Sequence, residues 1–139
     1  MNKKHKGDIA EHAVAQKVIE SGWNVLWPDS DACRYDLVAE KDGCFVRIQA
    51  KYVTAKNGHL EVNCRSSNNW SVKPYTRDEI DVMAVYEPDN RNVYFIPVDK
   101  INKKAFNLRV LKAKNNQAAK LHLAEEYLSF DKSICPKKI

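Results

Sequence analysis

Residues Tyr35 to Val53 constrain the fold of this chain more than any other stretch. Two apolar-rich runs, Tyr35 to Glu40 and Cys44 to Val53, flank Lys41-Asp42-Gly43, the turn chemistry of a β-hairpin. Side chains on a strand alternate between its two faces. The second run therefore presents Cys44, Val46, Ile48, Ala50 and Tyr52 on one face, and Arg47, Gln49 and Lys51 on the other. Polar and charged groups next to a core are costly unless they are paired or used.

The rest of the chain limits what can surround this hairpin. At 139 residues it is long enough for one hydrophobic core and short for two, so residues 1–139 read as a single domain. No apolar run reaches the length of a membrane span, and Met-Asn-Lys-Lys-His-Lys has no apolar segment behind it, so the expectation is a cytoplasmic protein without a membrane partner. The net charge of +5 favours an acidic partner, nucleic acid first. Cys33, Cys44, Cys64 and Cys135 contain no Cys-x-x-Cys pair, which argues against a zinc site. In a reducing compartment they are expected as free thiols, Cys44 and Cys64 being small core residues on strands.

In chain order, Lys6 to Ser21 is expected as a helix closed by Gly22, with Ala10, Val14, Ala15 and Val18 on one side. Glu11 lies within that apolar stripe and Gly7 one turn before it. Trp23 to Trp27 reads as a short strand, ended by the turn-rich Pro28-Asp29-Ser30-Asp31. After the hairpin come a polar loop, Thr54 to His59, and an alternating strand, Leu60 to Arg65. Ile80 to Tyr86 and Asn92 to Val98 form a second hairpin, whose first strand is apolar on both faces and suits a buried position. Asp99 to Leu111 reads as a short helix followed by a strand. Asn116 to Phe130 is expected as a helix, with Ala118, Leu121, Ala124, Tyr127 and Leu128 at helical spacing, and Lys132 to Ile139 as a loose tail. This order predicts an α/β or α+β arrangement around one central mixed sheet.

Asp36 heads the first hairpin strand, and Gln49 and Lys51 lie near the end of the second, so antiparallel pairing brings the three together. A carboxylate, an amide oxygen and the Ala50 carbonyl are hard donors suited to Mg²⁺, with Glu11 adding a ligand directly or through water. Lys51 could orient water or stabilise charge on phosphorus, which points to metal-assisted phosphodiester hydrolysis. Each residue also has an ordinary reading: Asp36 as a turn cap, Gln49 and Lys51 as a solvated strand face, Glu11 as an acid at the stripe edge.

Taken together, Gly7-x-x-x-Glu11, Tyr35-Asp36-Leu37-Val38 and Ile48-Gln49-Ala50-Lys51-Tyr52 resemble the PD-(D/E)xK nuclease superfamily. The resemblance implies a restriction-endonuclease-like core, an α/β fold whose central mixed β-sheet is flanked by helices. It implies Glu11, Asp36, Gln49 and Lys51 as catalytic residues, with Asp36, Gln49, Ala50 and Glu11 holding Mg²⁺, for which Mn²⁺ would substitute. The Gln-x-Lys form is similar to Mrr-like restriction nucleases and to a small family of group I intron homing endonucleases; the length and the helical Glu fit the latter better. Two departures stand out. Gln49 replaces the usual second acid, which leaves the number of metals open, and Pro28-Asp29 competes with Asp36 as first acid. Asp36 is preferred because it leads into the strand that pairs with Gln49-Ala50-Lys51.

The function expected is a Mg²⁺-dependent endonuclease of homing type, cutting double-stranded DNA as a homo-oligomer, dimer or tetramer. The alternatives are a Holliday junction resolvase, a restriction-type nuclease and, from another class, a catalytically inactive DNA-binding protein. Candidate DNA contacts are Lys56, Asn57, Asn68, Asn69, Lys73 and Arg77, with Lys3, Lys4 and Lys6 on the phosphate backbone.

Overall fold

A computed structural model describes residues 1–67, 72–76, 78–101, 105–110 and 122–136. Helix α1, Lys3–Glu20, begins three residues earlier than its periodicity suggests. The Asn2 side chain accepts a hydrogen bond from the His5 amide at 2.8 Å, and this cap carries the helix to the start of the chain. At its other end Gly22 adopts φ +89° just beyond the capping Ser21, a conformation that costs an L-residue but not glycine. Ala10, Val14, Ala15 and Val18 are buried, as the stripe predicted.

The main sheet has five strands in the order β1 (Asn24–Leu26), β2 (Leu37–Lys41), β3 (Cys44–Tyr52), β7 (Val82–Glu87) and β8 (Asn92–Pro97). Strands β2 and β3 form the expected hairpin, with Lys41 opposite Cys44. Asp42 and Gly43 take φ of 51° and 80°, so the two-residue connection has the positive-φ geometry that matches strand twist. The second hairpin, β7–β8, forms as read from the sequence. Its buried Glu87 is satisfied inside its own turn, where the Asn90 amide and side chain donate to the carboxylate at 2.7 and 3.1 Å. Strands β3 and β7 pair in parallel, Ile48 opposite Val82 through Tyr52 opposite Tyr86, which makes the sheet mixed.

A parallel pair needs a crossover, and here it carries β4 (His59–Asn63), β5 (Arg65–Ser67) and β6 (Val72–Pro74). Strand β4 joins β9 (Ala105–Arg109) and the two-residue β10 (His122–Leu123) in a second, three-stranded sheet. The main sheet thus separates two cores. On one side Leu37, Ala39, Val46, Ile48 and Ala50 pack against α1; on the other Met83, Val85, Tyr94 and Ile96 pack against Leu60, Val62, Phe106 and Leu108. The expected α/β fold, a central mixed sheet with helix packed against it, is thus what forms; among the described residues α1 covers one face and the small three-stranded sheet covers the other.

The expected helix from Asn116 to Phe130 is also corrected over its described part. Residues 122–123 are extended and pair in parallel with Leu108 and Arg109, and Ala124–Tyr127 is a 3-10 turn; Ala118 and Leu121 lie outside the described residues. The cause is topological. Ala124 belongs to the strand-side core, whereas Phe130 sits in the helix-side core between Trp23 and Phe95, at ring separations of 4.9 and 4.8 Å. The chain must pass from one face of the sheet to the other, and no straight helix does that.

Beyond Phe130 the loose tail expected from Lys132 is, as far as it is described, tied down. Lys132–Ile134 forms a 3-10 turn, Lys132 pairs with Asp42 at 2.9 Å, and Cys135 forms a disulfide with Cys44. The expectation of four free thiols therefore holds for Cys33 and Cys64 alone. The bonded pair are 91 residues apart, a separation no local motif reveals.

Candidate active site

Strand β2 ends its ladder at Leu37 opposite Ile48, one residue after Asp36. The Asp36 amide still donates to the Ile48 carbonyl at 2.8 Å, and its carboxylate accepts the Ala50 amide at 2.8 Å. Asp36 thus continues the pairing with its side chain where the backbone turns away, and this fixes the carboxylate beside Gln49, Ala50 and Lys51.

Glu11 reaches the same point from α1 and shares a hydrogen bond with Asp36. Burial and the neighbouring Asp36 charge push the Glu11 carboxyl up to about 7. Asp36 is raised as well, chiefly by burial, against the pull of the Ala50 amide, Glu11 and Lys51. Each carboxyl thus favours its protonated form more than a free acid does, Glu11 the more strongly.

Lys51 completes the group from β3. Burial lowers its pKa, while the Asp36 charge opposes that shift and the neighbouring Arg34 and Lys3 add to it. Its ammonium lies over the buried ring of Tyr75, 5.1 Å from the centroid, and the Arg34 guanidinium packs on the same ring at 4.2 Å. Arg34 is in turn held by Glu79 at 2.8 Å. Neither Arg34 nor Tyr75 was among the residues singled out from sequence; Tyr75 is 24 positions from Lys51, and no spacing rule joins them.

The donors present suit a hard divalent cation. Glu11 and Asp36 offer two crowded carboxylates whose raised pKa values a cation would reverse. Ala50 offers a carbonyl, on which the Gln49 amide now rests at 3.3 Å through Nε2; the same amide turned over presents its oxygen. Among the described residues no cluster of three or more His, Cys, Asp or Glu forms, and the donors beside Glu11 and Asp36 are the Ala50 carbonyl and the Gln49 amide. Asp29 is exposed in the bend between β1 and β2, whereas Asp36 is the acid brought to Glu11 and Lys51.

Lys51 opens into a groove of about 1110 Å³. Residues Lys51 to Thr54, Lys56, Asn57 and the outward side chains of β4 line it. Of the residues expected to contact DNA, Lys56 and Asn57 lie in this groove. Lys3 acts on the charge of Lys51, and Lys6 lies over the Tyr52 ring at 5.7 Å, so both flank the site. Lys4 is exposed on the helix and pairs with Asp8 at 3.7 Å. Lys73 falls on β6, and Asn68, Asn69 and Arg77 lie outside the described residues. His59, Glu61, Asn63 and Asn107 also line the groove and were not anticipated.

A family model described as PD-(D/E)XK endonuclease matches residues 1–130. The solved structure of a bacterial homing endonuclease, I-Ssp6803I, superposes with a TM-score of 0.73 at 27% identity, covering 91% of this chain and 88% of that one. A Holliday junction resolvase, Hjc from the archaeal hyperthermophile Archaeoglobus fulgidus, aligns over 91% of this chain and 99% of its own at 17% identity and a TM-score of 0.46. No curated protein matches the sequence.

Proposed function

The chain belongs to the PD-(D/E)XK endonuclease family, and from that premise we propose that it is a Mg²⁺-dependent endonuclease of homing type that cuts double-stranded DNA at a specific site. The observation that carries the reading is the group at the head of β3: Glu11 and Asp36 sharing a hydrogen bond, with Lys51 beside them and the Ala50 carbonyl adjacent. Lys51, partly desolvated and drawn to Asp36, stands where the reacting phosphate would lie, to orient the attacking water and balance developing negative charge. Glu11 and Asp36, in their ionised forms, would be the two charged ligands of the cation. Glu11, Asp36, the Ala50 carbonyl and the Gln49 oxygen would hold Mg²⁺, which would supply polarisation of the phosphoryl oxygens and acidification of water. Mn²⁺ is expected to substitute.

The homing assignment is supported by the 27% identity to the bacterial homing endonuclease over most of both chains. A single domain of this size contacts few base pairs, so a dimer or tetramer acting on a long site accompanies the assignment. Lys3, Lys4, Lys6, Lys56, Asn57, Asn68, Asn69, Lys73 and Arg77 are proposed contacts to the DNA. The test is cleavage of a random-sequence plasmid library with Mg²⁺. Cutting at one long site is expected, and Lys51→Ala should lower it by about a hundredfold or more while binding persists. Cutting of four-way junctions regardless of sequence would replace the homing reading with a resolvase, and undiminished cutting by Lys51→Ala would remove the site assignment.

A further inference from the structure

We propose that the outward face of β4, together with Asn107 of β9, reads base pairs in the major groove of duplex DNA next to the cleaved phosphate; this rests on the endonuclease reading above. Along β4, Leu60 and Val62 are fully buried against the main sheet, so His59, Glu61 and Asn63 face outward. All three line the groove into which Lys51 opens, as does Asn107, which pairs opposite Glu61 across the β4–β9 ladder. The surface is therefore continuous with the group proposed to hold the phosphate.

Spacing and chemistry both identify the occupant. Alternate residues on a strand are separated by about 6.6–6.8 Å, and successive base pairs rise by about 3.4 Å, so side chains of β4 fall on every second base pair of a duplex lying along it. A strand pair presented in the major groove is an established docking mode for DNA. The groove carries a carboxylate at its middle, which repels phosphate and favours an exocyclic amino group. Glu61 accepts from cytosine N4, and the Asn107 amide beside it offers both a donor and an acceptor to a neighbouring base edge. Lys51 and Lys56 supply the positive charge toward the backbone. His59 is held by Arg109, whose guanidinium contacts its Nε2 at 2.7 Å. Arginine only donates, so Nε2 is the acceptor of this contact.

The experiment selects duplexes from a randomised library by gel shift in Ca²⁺, using the full chain, and sequences those bound by wild type, Glu61→Gln, Asn107→Ala and Lys56→Ala. Glu61→Gln should lose about tenfold of discrimination at one base pair near the cut, with a preferred cytosine giving way to adenine. Asn107→Ala should lose preference at that base pair or the adjacent one. Lys56→Ala should weaken all sequences alike and flatten the salt dependence. Because Glu61 and Asn107 are exposed, unchanged melting temperatures establish that the variants are folded. Wild-type preferences retained by both groove variants, or a uniform loss like that of Lys56→Ala, would overturn the proposal. Parallel cleavage in Mg²⁺ separates it from the reading beneath it. Selection without cutting sinks the endonuclease and leaves the base preferences to decide the groove; cutting with unaltered preferences sinks the groove alone. Failure of the wild type to select any duplex overturns both.

Discussion

At the scale of single residues, the raised pKa of Glu11 links the site to stability. The Glu11 carboxyl moves from 4.5 to about 7 on folding, so between those values the native state binds more protons than the unfolded chain. Stability should fall as pH rises through that window, with the penalty complete above it. Thermal melts of metal-free protein should show this slope, and Glu11→Gln should flatten it. A divalent cation replaces the proton, so added Mg²⁺ or Ca²⁺ should raise Tm more at pH 8 than at pH 5; equal shifts at both would argue against Glu11 and Asp36 as the ligands. Tyr75 acts one step removed, as the surface on which Lys51 and Arg34 rest. Tyr75→Leu removes two cation–π contacts and should lower cleavage by about tenfold. Tyr75→Phe keeps the ring and should stay close to wild type, a contrast that simple loss of packing at a hydroxyl would not produce.

At the scale of elements, the β2–β3 hairpin sets the distance between Asp36 and Lys51, and its turn sets the register. Gly43 has φ 80° with open space where a Cβ would stand, so Gly43→Ala costs backbone strain and nothing else. Denaturant unfolding should show a loss of about 1–2 kcal/mol with an unchanged m value. The other end of the crossover is fixed by Arg47. Its amide donates to Asp81 at 2.8 Å, and its guanidinium reaches both carboxylate oxygens at 3.0 and 3.1 Å. This pair aligns β3 with the start of β7. Asp81→Ala should destabilise by about 2 kcal/mol, since the charge-assisted bonds to Arg47 are lost while its bond to the Asp78 carbonyl remains.

At the scale of the whole molecule, the segment after Tyr127 crosses to the helix side, inserts Phe130 between Trp23 and Phe95, and bonds Cys135 to Cys44 at the foot of the hairpin. The disulfide closes a long loop across the chain, and in the chain-entropy account such closure restricts the unfolded state by about 4.6 kcal/mol, an upper value for the stability it contributes. Reduction, or Cys135→Ser, should therefore lower unfolding stability by about 2–4 kcal/mol. The far-UV spectrum should remain that of the folded protein, because both cores stay intact. Unchanged stability on reduction would show that Phe130 and the Asp42–Lys132 pair hold the segment without it.

Local chemistry made the hairpins, the buried stripe of α1 and the identity of Glu11, Asp36, Gln49 and Lys51 as candidates readable in the sequence. Alternation, capping residues and turn residues act over a few positions, and their spacing is written in the chain. Other features depend on what meets across the fold. Asn116 to Phe130 has helical spacing, yet its described apolar residues serve two cores on opposite sides of one sheet, and that division is topological. Tyr75 beneath Lys51, Cys135 at Cys44 and Asn107 beside Glu61 are contacts between distant segments. The same applies to the hairpin itself. Its polar face was legible residue by residue, and so was the preference for Asp36 over Asp29, from the strand that Asp36 leads into. What the sequence did not show is the backbone amide that holds the Asp36 carboxylate. Once β2 ends, the Ala50 N–H needs an acceptor, and only the tertiary arrangement shows that Asp36 provides it while Glu11 closes over the same carboxylate.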